Sequence, residues 1–367
     1  MAPSELTRSP IKALYHKYER YLPLLSFVGG FAFDALTLTR IDRWSDNLQL
    51  MAYLLLSGTA LVVLGRKQHE HLKSGFLKTH IEWVQIVFNF SMGSLLSAYA
   101  IYYFRSAAFS KSYLFVGLLA IVWIASEFIP HRLVKLKIYS LLHFFSICAF
   151  FTFFLPIVTG RLGLGIFIAG AALSLVFTAF LWLVALGRKA VRRKELWRDH
   201  FGPPFLLSLI LIILYLFNWI PPVPLSITDI GIYRSVIREK SGRYAVTYRQ
   251  PEWYEIVKKD DRVFEYSKGD AVYCFAAVFA PTAMRQKIYH DWQHLQTDGT
   301  WKTMSHIPYP IIGGRDGGWR GFTMKRSLTP GKWRIDVVTE NGQIISRIAL
   351  AIVEVNHPLK QIVTVYK

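Results

Sequence analysis

The feature that most constrains this chain is a series of seven long apolar runs within its first 220 residues. The hydrocarbon core of a bilayer is about 30 Å thick, so a helix needs about 20 mainly apolar residues to cross it. The runs are Tyr21–Thr37, Leu48–Gly65, Ile81–Phe104, Ser112–Pro130, Ile138–Thr159, Leu162–Gly187 and Pro203–Ile220. The sequence therefore predicts an α-helical membrane bundle of seven transmembrane helices over residues 21–220.

Loop charges predict how these helices are oriented. Short loops on the cytoplasmic side of a membrane carry an excess of Lys and Arg. The segment before the first run and every second loop after it hold 17 such residues, whereas the loops on the other side hold 5. We therefore expect a cytoplasmic N-terminus, and seven crossings place everything after residue 220 on the opposite side of the membrane.

The strong positive charge fits a membrane better than a nucleic acid. The formal net charge is +19, but many of the basic residues lie between apolar runs, so we expect membrane lipid and no nucleic acid as a partner. Residues 1–20 place Ile11, Leu14 and Tyr18 at helical spacing among basic residues, which predicts a cytoplasmic amphipathic N-terminus. This segment is either an interfacial helix on anionic lipid or an ordinary cap on the bundle.

A second domain begins after the apolar runs. Residues 221–226 form a Pro-rich linker, and residues 227–367 then alternate apolar and polar side chains. Hairpin signals at Asp298-Gly299 and Asn341-Gly342 separate some of the stretches. Strands are predicted at Tyr244–Tyr248, Ala271–Phe279, Lys287–His294, Trp301–Ile307, Gly321–Lys325, Lys332–Val338 and Ile344–Val353. We expect an all-β antiparallel sandwich of two sheets, immunoglobulin-like, with Cys274 in its core and no disulfide.

Part of this second domain resembles a bacterial domain family. The motifs are Trp292 ahead of Asp298-Gly299, Ile312-Gly313-Gly314-Arg315, Gly318-Trp319-Arg320, Lys325, Pro330-Gly331-Lys332-Trp333-Arg334 and Asn341-Gly342. They cover about residues 270–354 and resemble the DUF2914-type C-terminal domain, a domain of unknown function. The membrane half is also similar to the multi-spanning members of that family, and the resemblance implies a bacterial envelope protein. With the orientation expected from the loop charges, we expect a protein of the bacterial inner (plasma) membrane with a periplasmic C-terminal domain. The resemblance implies no activity, substrate or catalytic residue.

One stretch of the second domain has the residue types of a binding site. Arg315, Trp319, Arg320 and Lys325 combine basic groups with an indole, among glycines that permit close approach of a partner. Together with Trp292 they are the predicted ligand-binding residues, because Arg pairs with carboxylate or phosphate and aromatic faces suit sugars and cations. The alternative is a hairpin whose tryptophans fill the core while its basic residues face anionic lipid.

Histidines offer a weaker case for a metal. His290, Trp292 and His294 share one face of a predicted strand, but a metal site needs three or four ligands. The His69-Glu70-His71 motif, with His80 nearby, is also short of ligands. We therefore expect a polar strand face with a packed Trp292, and no metal or other cofactor.

A group of charges near the outer ends of the predicted helices supports a rival function. The residues of this membrane polar cluster are Asp34, Arg40, Arg43, Arg105 and Arg161. Charges at membrane depth are costly and are usually paired or functional. The cluster is therefore either a structural salt-bridge network or a site that handles a substrate.

We expect a non-enzymatic protein whose periplasmic domain binds an envelope component, which is a glycan, a lipid headgroup or a partner protein. The sequence contains no Gly-x-Ser-x-Gly, His-Glu-x-x-His or Walker motif. The alternative is a membrane enzyme or transporter that uses the membrane polar cluster.

Overall fold

The chain divides into two compact units. The computed structural model describes residues 25, 28–29, 32–33, 41–68, 72, 74–106, 117, 132–186, 197–253, 255, 258–267, 269–281, 284–312, 318–355 and 361–367. One unit comprises Met1–Phe104, Leu114–Phe154 and Leu164–Phe217, and the other comprises Arg105–Tyr113, Leu155–Gly163 and Asn218–Lys367. The first unit is helical in its described parts, and the second contains the strands.

Helices occupy most of the predicted spans that the structure describes. They are α1 (Trp44–Gln68), α2 (Gly75–Thr79), α3 (Ile81–Ser106), α4 (Arg132–Thr159), α5 (Leu164–Leu186) and α6 (Gly202–Leu216), with a π-helical turn at Trp197–Phe201. Four of them, α1, α3, α4 and α5, are long and apolar enough to cross a membrane. They coincide with the second, third, fifth and sixth predicted spans.

The remaining predicted spans are not seen as membrane-length helices. The seventh corresponds to α6, whose 15 residues extend over about 22 Å at 1.5 Å per residue. The first and fourth spans lie outside the described residues, except for a few single positions. Four helices of membrane length are consistent with a membrane protein, and the count of seven stays a prediction.

Polar side chains join helices within the first unit. His143 Nε2 on α4 lies 3.1 Å from the carbonyl oxygen of Leu54 on α1. The indole N–H of Trp182 on α5 donates to the Ser140 hydroxyl on α4 at 2.8 Å. Such hydrogen bonds satisfy polar groups that lipid would leave unpaired.

Eleven strands lie in the described part of the second unit. They are β1 (Ser226–Tyr233), β2 (Ser235–Arg238), β3 (Tyr244–Arg249), β4 (Val263–Tyr266), β5 (Ala271–Phe279), β6 (Arg285–Leu295), β7 (Trp301–Ile312), β8 (Trp319–Arg326), β9 (Gly331–Thr339), β10 (Ile344–Glu354) and β11 (Ile362–Tyr366). All seven predicted strands are confirmed, as β3 and β5 to β10. Both predicted glycine turns close hairpins, and Gly299 and Gly342 have φ values of 80° and 75°, in the region that glycine adopts most easily.

These strands pair into three sheets rather than two. The strand orders are β1-β5-β8, β4-β10-β9-β6-β7 and β11-β3-β2. The β4–β10 pair is parallel, whereas the other pairs are antiparallel. The structure thus corrects the prediction of a two-sheet, wholly antiparallel sandwich, and an immunoglobulin-like fold is not confirmed.

The β1-β5-β8 sheet lies between the other two sheets, so the domain has three layers. On one face of β5, Cys274 packs in a core with Trp292 and Trp333 of the five-stranded sheet. On the other face, Phe275 packs with Tyr244 of the β11-β3-β2 sheet. A strand that is buried on both faces is apolar along its whole length, and β5 reads Ala-Val-Tyr-Cys-Phe-Ala-Ala-Val-Phe. That composition is the sequence signal for the third layer.

Candidate functional site

The predicted ligand-binding residues on strand β8 lie on opposite faces of its sheet. Trp319 packs against a core cluster between the middle and five-stranded sheets. Phe322, which shares a face with Arg320 because side chains alternate along a strand, packs against the cluster beneath the β11-β3-β2 sheet. Trp319 and Arg320 therefore do not form one surface, and Arg315 lies outside the described residues.

Trp292 belongs to the core. Its side chain is fully buried, and its indole N–H donates to the Thr323 hydroxyl at 3.1 Å. Nδ1 of the buried His290 lies 2.8 Å from the same hydroxyl. His294 contacts Trp333 with ring centroids 4.6 Å apart, which confirms that the three predicted residues share one strand face. Among the described residues, no group of three or more His, Cys, Asp or Glu is arranged to hold a metal.

Burial fixes the charge of His290. It lowers the pKa of His290 to about 3, since the imidazolium form would lose its hydration. The side chain is therefore neutral near pH 7. Its Nε2 and the Tyr309 hydroxyl are buried without hydrogen-bond partners in the described part of the chain, and their rings lie 4.7 Å apart.

Lys325 lies where strand β8 approaches strand β7. Its ammonium group contacts the Ser305 hydroxyl and lies 5.8 Å from the centroid of the Trp333 ring. Partial burial lowers the pKa of Lys325, because desolvation disfavours the charged form. These contacts join two strands and engage the ammonium group within the domain.

The opposite face of the five-stranded sheet, which we call the outer face, carries an ordered row of charges. His306, Asp291, Asp336 and Arg347 stand opposite one another on β7, β6, β9 and β10. Adjacent carboxylates would repel each other, but each has a basic partner. His306 contacts Asp291, and Arg347 donates two hydrogen bonds to Asp336, at 2.6 and 2.7 Å.

Aromatic rings lie beside this row of charges. Arg334 Nε donates to Gln293 Oε1 at 2.6 Å, and the guanidinium carbon lies 4.4 Å from the centroid of the Trp301 ring. Trp301 keeps 36% of its surface exposed. Tyr289 stacks on His306 with ring centroids 4.1 Å apart. We call the following six residues the outer-face patch: Tyr289, Asp291, Gln293, Trp301, His306 and Arg334.

The chemistry of the outer-face patch suits a ligand that has both apolar faces and polar edges. An indole and a phenol ring offer flat apolar surfaces. A guanidinium donates hydrogen bonds, a carboxylate accepts them, and an amide does both. Pro308 lies on the same edge strand, where the missing backbone N–H discourages pairing with another chain. The patch can therefore bind a ligand through its side chains.

The outer-face patch was not predicted, because the predicted residues lie on the other face of the same strand. His290, Trp292 and His294 face the core, whereas Tyr289, Asp291 and Gln293 alternate with them on β6. The Asp298-Gly299 turn predicted that β6 pairs with a strand that begins at Trp301. Alternation alone would place Trp301 and His306 on opposite faces of β7, and they share the outer face because the β6–β7 register shifts between Trp292 and Gln293.

The membrane polar cluster stays a prediction. Asp34 and Arg40 lie outside the described residues, as does the side chain of Arg105. The side chains of Arg43 and Arg161 are exposed, and they belong to different units.

Comparison with known proteins identifies one domain. Residues 285–352 match the family described as "Protein of unknown function (DUF2914)", so the chain contains a DUF2914 domain, and the outer-face patch lies within it. No curated protein matches the chain. Among solved structures, the chain is similar to Pseudomonas fluorescens alkylpurine DNA glycosylase AlkC bound to DNA containing an abasic site analog. The similarity covers 86% of this chain and 99% of that one, at 10% identity and a TM-score of 0.22.

Proposed function

We propose that this chain is a multi-pass membrane protein whose β-rich domain binds a glycan of the bacterial envelope at the outer-face patch, without catalysing a reaction. The observation that carries the proposal is the exposed Trp301 ring, which has the Arg334 guanidinium 4.4 Å from its centroid. The Gln293 amide, bonded to Arg334, supplies hydrogen-bonding groups beside the ring.

A glycan fits these groups because a sugar has apolar C–H faces and hydroxyl edges. Aromatic rings provide large flat contact areas for the apolar faces. A small number of well-placed polar groups then fixes the orientation of the ligand. The guanidinium of Arg334 adds a charge-assisted hydrogen bond where the sugar carries an acidic group.

The side-chain contacts of the outer face support a binding role. Asp336 accepts two hydrogen bonds from Arg347, and Asp291 contacts His306. These contacts hold side chains of neighbouring strands in place, and an ordered surface loses less conformational entropy when it binds a ligand.

The membrane topology that belongs to this proposal has seven spans and a periplasmic β-rich domain. The distribution of Lys and Arg in the loops supports it, as do the four helices of membrane length. Both native cysteines, Cys148 and Cys274, are buried, so an introduced cysteine is the main target of a membrane-impermeant maleimide. In spheroplasts we expect labelling of Asp298→Cys and not of Lys78→Cys, because both positions are exposed but lie on opposite sides of the predicted membrane. The reverse pattern overturns the orientation.

Sedimentation of the detergent-solubilised full chain with insoluble peptidoglycan tests the binding proposal. Trp301→Ala and Arg334→Met remove the ring and the guanidinium, so we expect at least tenfold weaker binding, equivalent to about 1.4 kcal/mol for each variant. Trp253→Ala is the matched control, because it removes another highly exposed indole from outside the patch.

Three outcomes separate glycan binding from the other partners. Equal binding by the wild type and both patch variants contradicts the role of the outer-face patch. Binding to vesicles of anionic lipid instead of peptidoglycan identifies a headgroup as the partner. If the folded wild type binds neither peptidoglycan nor anionic vesicles, but captures a protein that both patch variants fail to capture, the partner is a protein instead of a glycan.

A further inference from the structure

A lysine of the chain itself lies in a small cage in the β-rich domain, away from the outer-face patch. Lys367 Nζ contacts the Asp229 carboxylate, and it lies 5.1 Å from the ring centroid of Tyr233 and 5.6 Å from that of Phe275. Both rings are buried, and 18% of the Lys367 side chain is exposed. Aromatic faces with a carboxylate are the groups that recognise an alkylammonium ion.

The middle sheet builds this cage. Asp229, Gly231 and Tyr233 follow one another on the same face of β1, and Gly231 stands opposite Phe275 on β5. A Cβ at Gly231 would lie 2.3 Å from the Tyr233 hydroxyl oxygen, so only glycine leaves room for this phenol. The Tyr233 hydroxyl is buried without a hydrogen-bond partner in the described residues, which gives the cage an unused polar atom.

The strand that precedes Lys367 is largely exposed. β11 is an edge strand that pairs with β3. Ile362, Val365 and Tyr366 are 60%, 38% and 54% exposed, whereas Val363 packs against the core. Backbone pairing and the packing of Val363 hold this strand. Thr364 also contacts Thr247, and Tyr366 contacts the guanidinium of Arg243. The Lys367 ammonium group adds an anchor at the end of the strand.

We propose that the cage and the neighbouring edge of β3 form a binding site for an extended peptide with a lysine side chain, which β11 occupies as an internal ligand. Without β11, the edge of β3 exposes backbone N–H and C=O groups that a foreign strand pairs with. The cage then takes the ammonium group of that strand. This site goes beyond the proposed glycan function and uses none of the outer-face residues.

Binding of labelled peptides to the full chain in detergent micelles tests this site by fluorescence anisotropy. The first probe has the sequence of residues 361–367, the second keeps the final Lys but reorders the other six residues, and the third has norleucine in place of Lys. We expect Lys367→Met to bind both lysine peptides at least about tenfold more tightly than the wild type. The reason is that its internal strand has lost its ammonium anchor, while the cage is intact.

Two further variants keep the test decisive. A chain without residues 361–367 should bind both lysine peptides as well as Lys367→Met or better, and the norleucine peptide at least about tenfold more weakly. Adding Asp229→Asn to either background should remove the preference for lysine. Circular dichroism checks that each variant keeps its β-sheet signal. The proposal is wrong if the folded Lys367→Met and shortened chains bind no lysine peptide. It is also wrong if they bind the norleucine peptide as tightly as the lysine peptides.

Discussion

The two faces of the five-stranded sheet use similar residue types for different purposes. On the inner face, His290 and Trp292 are fully buried and share the Thr323 hydroxyl. On the outer face, one residue away along β6, Tyr289 and Asp291 contact the exposed His306. The presence of rings and histidines therefore does not locate a binding surface in this domain, because strand parity decides which of them a ligand can reach.

Removing the inner-face indole should have the largest effect on stability. Trp292→Ala leaves a cavity in the core, and we expect it to cost about 3–5 kcal/mol. Thermal unfolding of the full chain in detergent, followed by the β-sheet signal in circular dichroism, measures the loss. If the variant melts at the wild-type temperature, the inner face does not have the structural role assigned to it, because Trp292 then does not stabilise the packing of the sheets.

Thr323→Val tests the polar part of the same core. The substitution keeps the shape but removes the oxygen that accepts from the Trp292 indole at 3.1 Å and lies 2.8 Å from His290 Nδ1. An unpaired buried polar group costs about 1–3 kcal/mol, so we expect a loss in that range in the same unfolding measurement. Thr323→Ser keeps the hydroxyl and serves as the control. Equal melting of Val and Ser variants would show that the hydrogen bonds are unimportant.

Acid should weaken the inner face through His290. The folded pKa is lowered to about 3 from an ordinary value of 6.5, so below pH 6.5 the unfolded chain binds a proton that the folded chain excludes. Stability then falls as the pH falls, by about 2 kcal/mol between pH 7 and pH 5. Unfolding at both pH values should show a smaller fall for His290→Gln. An identical fall in the variant would assign the acid sensitivity to other groups.

The outer face should contribute least to stability. Trp301 is at the surface, and surface substitutions usually change stability by less than about 0.5 kcal/mol. We therefore expect Trp301→Ala to unfold almost like the wild type while its binding to peptidoglycan decreases. A large drop in melting temperature would mean that the Trp301–Arg334 contact is a structural element.

Sequence patterns were sufficient for the long helices and for most strands. Continuous apolar runs predicted α1, α3, α4 and α5, and alternation with glycine turns predicted the β6–β7 and β9–β10 hairpins. Four strands escaped prediction, among them the four-residue β2 and β4, because short strands contain too little alternation to stand out. The third sheet escaped because β2 has only four residues and because β11 pairs with β3 across a long sequence separation.

The candidate site was harder to predict than the fold. One site was predicted from three residues that are neighbours in sequence, namely Trp319, Arg320 and Lys325. Side chains alternate along β8, so Arg320 lies on the opposite face from the other two. Trp301 and Arg334 come from different strands and meet only because β6 lies between β7 and β9. Such a juxtaposition depends on sheet order, which a single sequence does not specify.

The most direct test of the central claim measures unfolding and peptidoglycan sedimentation on the same preparations of Trp301→Ala and Trp292→Phe. The two variants should lose different properties. Trp301→Ala should keep the melting temperature and bind at least about tenfold more weakly, whereas Trp292→Phe should melt at a lower temperature and still bind while folded. Wild-type binding by a fully folded Trp301→Ala would contradict the claim that the outer face is the binding surface.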